Sequence, residues 1–166
     1  MNRKEKLLQL LEEAKGPIKG IDLSVQLGVS RQAVVQYIAV LRASGHTIIS
    51  TPQGYMLPPK GGYKDVIAVK HGPERTAEEL YLLVDMGVKV RDVIVEHPIY
   101  GELQGFLMLE SREDVARFLK DLQGKKASLL SALTDGFHLH TVEARTPALI
   151  EEARARLKER GFLAEE

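Results

Sequence analysis

His138 and His140 stand one residue apart in the run LTDGFHLHTVEA, in a chain that has five histidines and no cysteine among 166 residues. In an extended strand side chains alternate between faces. Both imidazoles therefore leave the same face with Cα atoms roughly 6.5–7 Å apart, a separation from which two ring nitrogens can reach one metal ion. Two strand histidines that are merely exposed, or satisfied by their neighbours, fit the same short pattern. His71 ends one β-prone run in Lys70-His71-Gly72-Pro73, and His97 ends another in Glu96-His97-Pro98. If a sheet brings the end of the first run beside the last, His71 completes a site begun by His138 and His140. Glu79, one turn into the helix after His71, is then the natural fourth ligand. Thr76-x-x-Glu79 also spells a capping box, in which the carboxylate only satisfies a backbone N–H; on spacing the two readings are equal. Three imidazoles and a carboxylate suit zinc, nickel, cobalt or iron without choosing among them. The absence of cysteine excludes a finger-type structural zinc site. An octahedral ion would keep positions open for a small ligand.

The elements that would position these residues follow from pattern. Asp65–Lys70, Lys89–Glu96, Tyr100–Leu109 and Phe137–Ala144 are β-rich. Between them lie helical stretches, from about Ala77 to Asp85 with Thr76 as cap and another that reaches about Leu122 with Ser111 as cap, and Thr146-Pro147 opens a last helix. The order βαββαβ plus a final helix predicts an antiparallel sheet with helices on one face, the ferredoxin-like arrangement. Ile150, Leu157 and Phe162 of the last helical region can serve either the core or a partner.

The N-terminal residues have a different plan. Leu7, Leu8, Leu11 and Ala14 form one helical stripe, Leu23 and Leu27 a second, and Val34, Ile38 and Leu41 a third. Gly28 suits a left-handed helix end and Ser30 an N-cap, which gives helix, tight turn, helix. Arg31, Gln32 and Gln36 occupy the outer face of the first two turns of the third helix, where side chains meet base edges in a major groove. Two β-prone runs around Thr51-Pro52-Gln53-Gly54 make a hairpin wing, with His46 at its start as a surface residue.

Charge separates the two parts. Residues 1–60 carry eight Lys/Arg against four Asp/Glu, and residues 61–166 carry fifteen against nineteen. A basic N-terminal unit points to nucleic acid and an acidic remainder does not. Leu57-Pro58-Pro59-Lys60-Gly61-Gly62 reads as the linker, giving domains at 1–58 and 63–166. Composition is that of a folded globular protein, 44% hydrophobic and 28% charged. No apolar stretch approaches a membrane span and the start MNRKEKLLQLLEEAK has no signal-peptide pattern, so no membrane partner and a cytoplasmic location are expected.

LSVQLGVSRQAVVQYIAVLRASGHTIISTPQGYML resembles the winged helix-turn-helix of biotin-repressor-like bacterial regulators. HGPERTAEELYLLVDMG, VRDVIVEHPIYGEL and LTDGFHLHTVEA together resemble the three-histidine ("3H") domain of niacin-responsive transcriptional repressors, and the likeness covers nearly the whole chain. The resemblance implies an α+β protein that is a repressor and not an enzyme, acting as a homodimer on double-stranded operator DNA of NAD-biosynthesis or niacin-uptake genes. It implies nicotinic acid as co-repressor beside a divalent metal, nickel or zinc ahead of iron or cobalt. It also implies metal ligands His71, Glu79, His138 and His140, effector contacts at His97, Tyr100 and Gly101, and DNA contacts at Ser30, Arg31, Gln32 and Gln36. Asp135 departs from the pattern, standing in the turn before the histidines where a glycine or small residue is expected. The residues alone leave two alternatives: a metal-dependent hydrolase or amidase with Glu96 or Glu143 as base, and a sensor of metal alone.

Overall fold

The computed structural model describes residues 1–124 and 128–164. It divides into two compact units, Met1–Lys60 and Gly61–Glu166. The first contains helices α1 (Arg3–Glu13), α2 (Gly20–Leu27) and α3 (Arg31–Ala43), then the wing strands β1 (Ile49–Thr51) and β2 (Gly54–Met56). Each helix boundary has a local cause. Asn2 and Glu5 form a reciprocal capping box on α1. Gly28 ends α2 at φ 67°, and Ser30 Oγ accepts from Ala33 N–H to start α3. The predicted stripes meet in one core of Leu7, Leu11, Leu23, Leu27, Val34 and Ile38, closed by Leu41 and Ile48. Arg42 ties the wing to α3, donating to Ile48 O at 2.7 Å and to Ser50 Oγ at 3.0 Å. Arg31, Gln32, Gln36 and His46 are exposed.

The second unit is a four-stranded antiparallel sheet carrying helices on one face. In chain order come β3 (Tyr63–Lys70), α4 (Thr76–Asp85), β4 (Lys89–His97), β5 (Gly101–Leu109), α5 (Arg112–Gly124), β6 (Phe137–Ala144) and α6 (Pro147–Glu159). The predicted α+β class and βαββαβα order are present, but the strand order is β3-β6-β4-β5. A ferredoxin-like sheet is also antiparallel throughout, but it sets its first strand between its fourth and its third. Here β6 lies between β3 and β4, and every neighbouring pair is antiparallel. The difference matters for the site, because it carries the histidines of β6 into the middle of the sheet.

Ile67, Val69, Val90, Leu109 and Val142 from the strands pack against Leu83, Val115, Ile150 and Leu157 from the helices. Ile150, Leu157 and Phe162 are 3%, 0% and 0% exposed, so all three belong to the core. After α6 the chain runs along β3, with Lys70 N–H donating to Phe162 O and Ala164 N–H to Ala68 O. That pairing covers an edge that would otherwise be open. No helix among the described residues is long and apolar enough to cross a membrane.

Candidate metal centre

Strand alternation puts His138 and His140 on the helix-facing side of β6, where they pair in register with Val69 and Ile67 of β3. His71, just past the end of β3, is joined to the same place by its N–H bond to Gly136 O. Gly136 has φ 90°, and a Cβ there would lie 2.3 Å from the carbonyl oxygen of His71. Only glycine allows the two chain segments so close. The residue before it, Asp135, takes the left-handed conformation that the sequence pattern would give to glycine, at φ 53°; aspartate is among the few residues that tolerate this.

Glu79 comes down from the first turn of α4 and meets all three rings. Its Oε2 contacts His71 Nε2 and lies 3.5 Å from His138 Nε2, and its Oε1 lies 2.8 Å from His140 Nε2. The four residues are 8% (His71), 1% (Glu79), 3% (His138) and 3% (His140) exposed. The capping-box alternative is therefore not the one adopted. A 3-10 turn over Pro73–Arg75 leads into α4, its N-cap residue is Arg75, and no side chain caps it. Thr76, expected to be the cap, sits inside the helix with its hydroxyl buried and without a hydrogen-bond partner.

The opposite side of each ring fixes its proton. His71 Nδ1 lies 2.8 Å from Gly72 O, His138 Nδ1 2.9 Å from Gly136 O, and His140 Nδ1 2.6 Å from Asp92 O. A carbonyl oxygen only accepts, so every Nδ1 carries hydrogen and every neutral ring turns a bare Nε2 toward the carboxylate. Three lone pairs and an anion facing one another in a buried space repel unless a cation or added protons lie between them. His140 Nε2 and Glu79 Oε1 make no hydrogen bond despite their approach. One atom each from His71, Glu79 and His138 lie within 4.8 Å of one another, with His140 alongside. This donor set, orphaned at its centre, fits a divalent transition metal.

The electrostatics of the metal-free chain express the same conflict. Burial pushes the Glu79 carboxyl up, but the facing imidazoles, His140 first, outweigh it and hold the group well below the usual carboxylate range. Burial pushes His71 and His140 down, and the Glu79 carboxylate outweighs it and raises both.

Asp92, which the motifs did not single out, supports the centre from β4. It is 2% exposed. Besides the carbonyl it offers to His140, its Oδ1 accepts from Thr141 N–H at 2.6 Å and its Oδ2 from Gln104 Nε2 at 2.7 Å. The register of β4 against both neighbours shifts around this residue, the kind of bulge that re-aims backbone groups. The visible signal was an acid, next to Arg91, inside the strand-forming run VRDVIV.

The four clustered residues form the floor of a cavity of about 170 Å³, walled by Leu80, Val93, Gly105, Leu107, Phe118 and Leu130, with Thr76 and Ser131 as further polar residues. His97, Tyr100 and Gly101 are not among the residues lining it. They form the β4–β5 turn, where His97 Nδ1 accepts from the N–H groups of Ile99 at 3.1 Å and Tyr100 at 3.2 Å and Tyr100 is 74% exposed. Glu96 and Glu143, the bases considered for a hydrolase, do not line it either. Glu143 points to the other face of β6 from the histidines, as its odd position dictates.

The comparisons with known proteins agree on both units. Residues 3–56 match an HTH domain model and residues 64–166 match a 3H domain model. The chain is 43% identical to the probable transcription repressor NiaR of Thermotoga maritima, over 99% of this chain and 94% of that protein. It is also 43% identical to the transcription repressor NadR of Bacillus subtilis, over 98% of this chain and 93% of that one. With an HTH domain in front of a 3H domain and relatives that are repressors and not enzymes, the chain belongs to the NiaR/NadR family of transcription repressors.

Proposed function

We propose that the protein is a homodimeric, cytoplasmic repressor of NAD-biosynthesis or niacin-uptake genes, with nicotinic acid as co-repressor bound beside a divalent metal. His71, Glu79, His138 and His140 would hold the ion, nickel or zinc before iron or cobalt. The observation that carries this reading is the convergence of three bare Nε2 atoms on a buried carboxylate at the floor of a cavity sized for one small molecule. A sensor of metal alone has no use for that cavity. The family resemblance gives His97, Tyr100 and Gly101 as effector contacts, but they stand in the β4–β5 turn outside the cavity lining, so they would serve the effector from outside that cavity. Ser30, Arg31, Gln32 and Gln36 would face operator DNA, since the last three are exposed at the start of α3 with no acidic side chain in its first turn.

Control requires that the effector bind the DNA-competent state more tightly than the other; equal affinity for both would shift nothing. The test is equilibrium binding of metal-loaded protein to an operator, with and without nicotinate. Tighter binding with nicotinate is expected, and equal affinities would overturn the co-repressor role.

A further inference from the structure

The sheet of the second unit has the helices of that unit on one face only. Strand alternation sends Val66 and Ala68 of β3, Phe137 and Leu139 of β6, Ile94 of β4 and Phe106 of β5 to the other face. None of them belongs to the core beneath the helices, and Val66 and Phe137 are 45% and 44% exposed.

Two charged side chains on this face are buried without a partner. Arg91 follows Val90, a core residue on the helix side, and so leaves from the opposite side of β4. It is 9% exposed, and Glu143 on neighbouring β6 is 5% exposed. Arg91 Nε and Glu143 Oε1 bond to nothing among the described residues. Lys64 and Lys89 stand opposite Glu143 in register, yet Lys89 pairs with Glu110 at 3.3 Å instead. Gly62 lies against the stem of Glu143, where a Cβ would come within 2.7 Å of Cγ, and so restricts where the carboxylate can turn. A buried charge left alone is costly, and one of each sign on a single face is what a self-complementary contact requires.

We propose that this face is the homodimer interface: a second copy of the chain lays its sheet on the first about a two-fold axis between β6 and β4, and Arg91 of each copy pairs with Glu143 of the other. This names the surface for the homodimer of the proposed function and rests on that reading.

Symmetry makes the charges fit. In an isologous contact the operation that brings Arg91 to Glu143 also brings Glu143 to Arg91, so both unpaired groups are satisfied at once. β6 and β4 are the two central strands. An axis between them centres the contact on the apolar residues and lays β3 of one copy over β5 of the other. β3 carries exposed Lys64 and Lys70 to this face, and β5 carries exposed Glu102. Lys70 and Glu102 stand at the same end of the sheet, since their register partners Phe137 and Glu96 each lie two residues past the Leu139–Ile94 pair. The border is thus basic where the copy is acidic, a polar rim around an apolar centre. Area suffices as well. Four strands about 4.8 Å apart and about 25 Å long span roughly 500 Å² per copy, and two copies together reach about 1,000 Å², the lower bound of a specific interface.

The experiment is sedimentation velocity of the full-length protein over a concentration series, for wild type, Val66→Asp, Arg91→Glu and Glu143→Arg, and for an equimolar mixture of the last two. Circular dichroism and thermal melts establish that each variant is folded, and Val66→Asp, at a position already half exposed, tests the face even where a reversal fails to fold. Wild type should sediment as a dimer. Each variant should raise the dimer dissociation constant about 100-fold or more, Val66→Asp by placing a charge in the apolar centre and each reversal by setting like charges together at two places in one contact. The mixture should recover dimers, because charges reversed on different copies match again, whereas a pairing of Arg91 with Glu143 inside one chain would gain nothing from mixing. Dimers unaffected by all three substitutions, or folded reversal variants whose mixture stays monomeric, overturn this interface and leave the homodimer standing. A wild type that is monomeric with and without operator DNA overturns both.

Discussion

The backbone carbonyl of Asp92 accepts from His140 Nδ1 at 2.6 Å, so a central strand dictates which nitrogen of a metal-facing imidazole is bare. The Asp92 side chain holds that arrangement by bonding Thr141 N–H on β6 and Gln104 on β5.

Asp92→Ala keeps the carbonyl but releases what fixes it, and it leaves the Thr141 N–H without its acceptor. Loss of such outer support costs metal sites about 10–100-fold in affinity. The expected result is a drop of that size in a competition titration against a chelator, with the ion still bound at high concentration. Unchanged affinity would mean that strand pairing alone holds the carbonyl in place.

Glu79→Ala separates the two roles that its position in sequence suggested. The carboxylate caps nothing in α4 and faces three imidazoles. Metal binding should be lost while far-UV helicity stays at the wild-type level. Fraying of α4 in hydrogen exchange, with metal binding retained, would restore the capping-box reading.

The pH dependence of the metal-free protein has two limits. His71 and His140 are raised above the ordinary histidine value of 6.5, so the stability their protonation contributes is present below that pH and lost as pH rises through their folded values. Glu79 is held below its ordinary 4.5, so its contribution is present above that pH and lost as pH falls through its depressed value. Chelator-treated protein should therefore melt at its highest temperature between these limits and weaken on the alkaline side. Metal-loaded protein should behave oppositely there, because coordination needs a bare Nε2. Thermal melts across pH, with chelator and with nickel, check both signs.

Arg31→Ala tests the DNA face. If the guanidinium reads a base, specific operator binding weakens by about 1–3 kcal/mol while binding to random DNA changes little. Equal losses on both would identify a phosphate contact.

What the sequence made legible was mostly local. Gly28, Ser30, Ser111 and Thr146 act at the helix ends where they were read, because a cap needs only its own turn. The period-2 pattern placed His138 and His140 on one face correctly for the same reason. Thr76 misled because a capping box is a local signature, and a tertiary demand on Glu79 overrode it. The order of the strands was not legible, since nothing within β6 states which strands will flank it. Nor was the cavity, whose walls come from β4, β5, α4, α5 and the segment around Leu130.

The near-complete burial of Glu79 also bears on time. Under the proposed function an ion held there would reach solvent only when the packing around it opens, and α4, which carries Glu79, is the element whose opening would release it. Metal exchange would then run at the pace of local opening and not at the pace of diffusion.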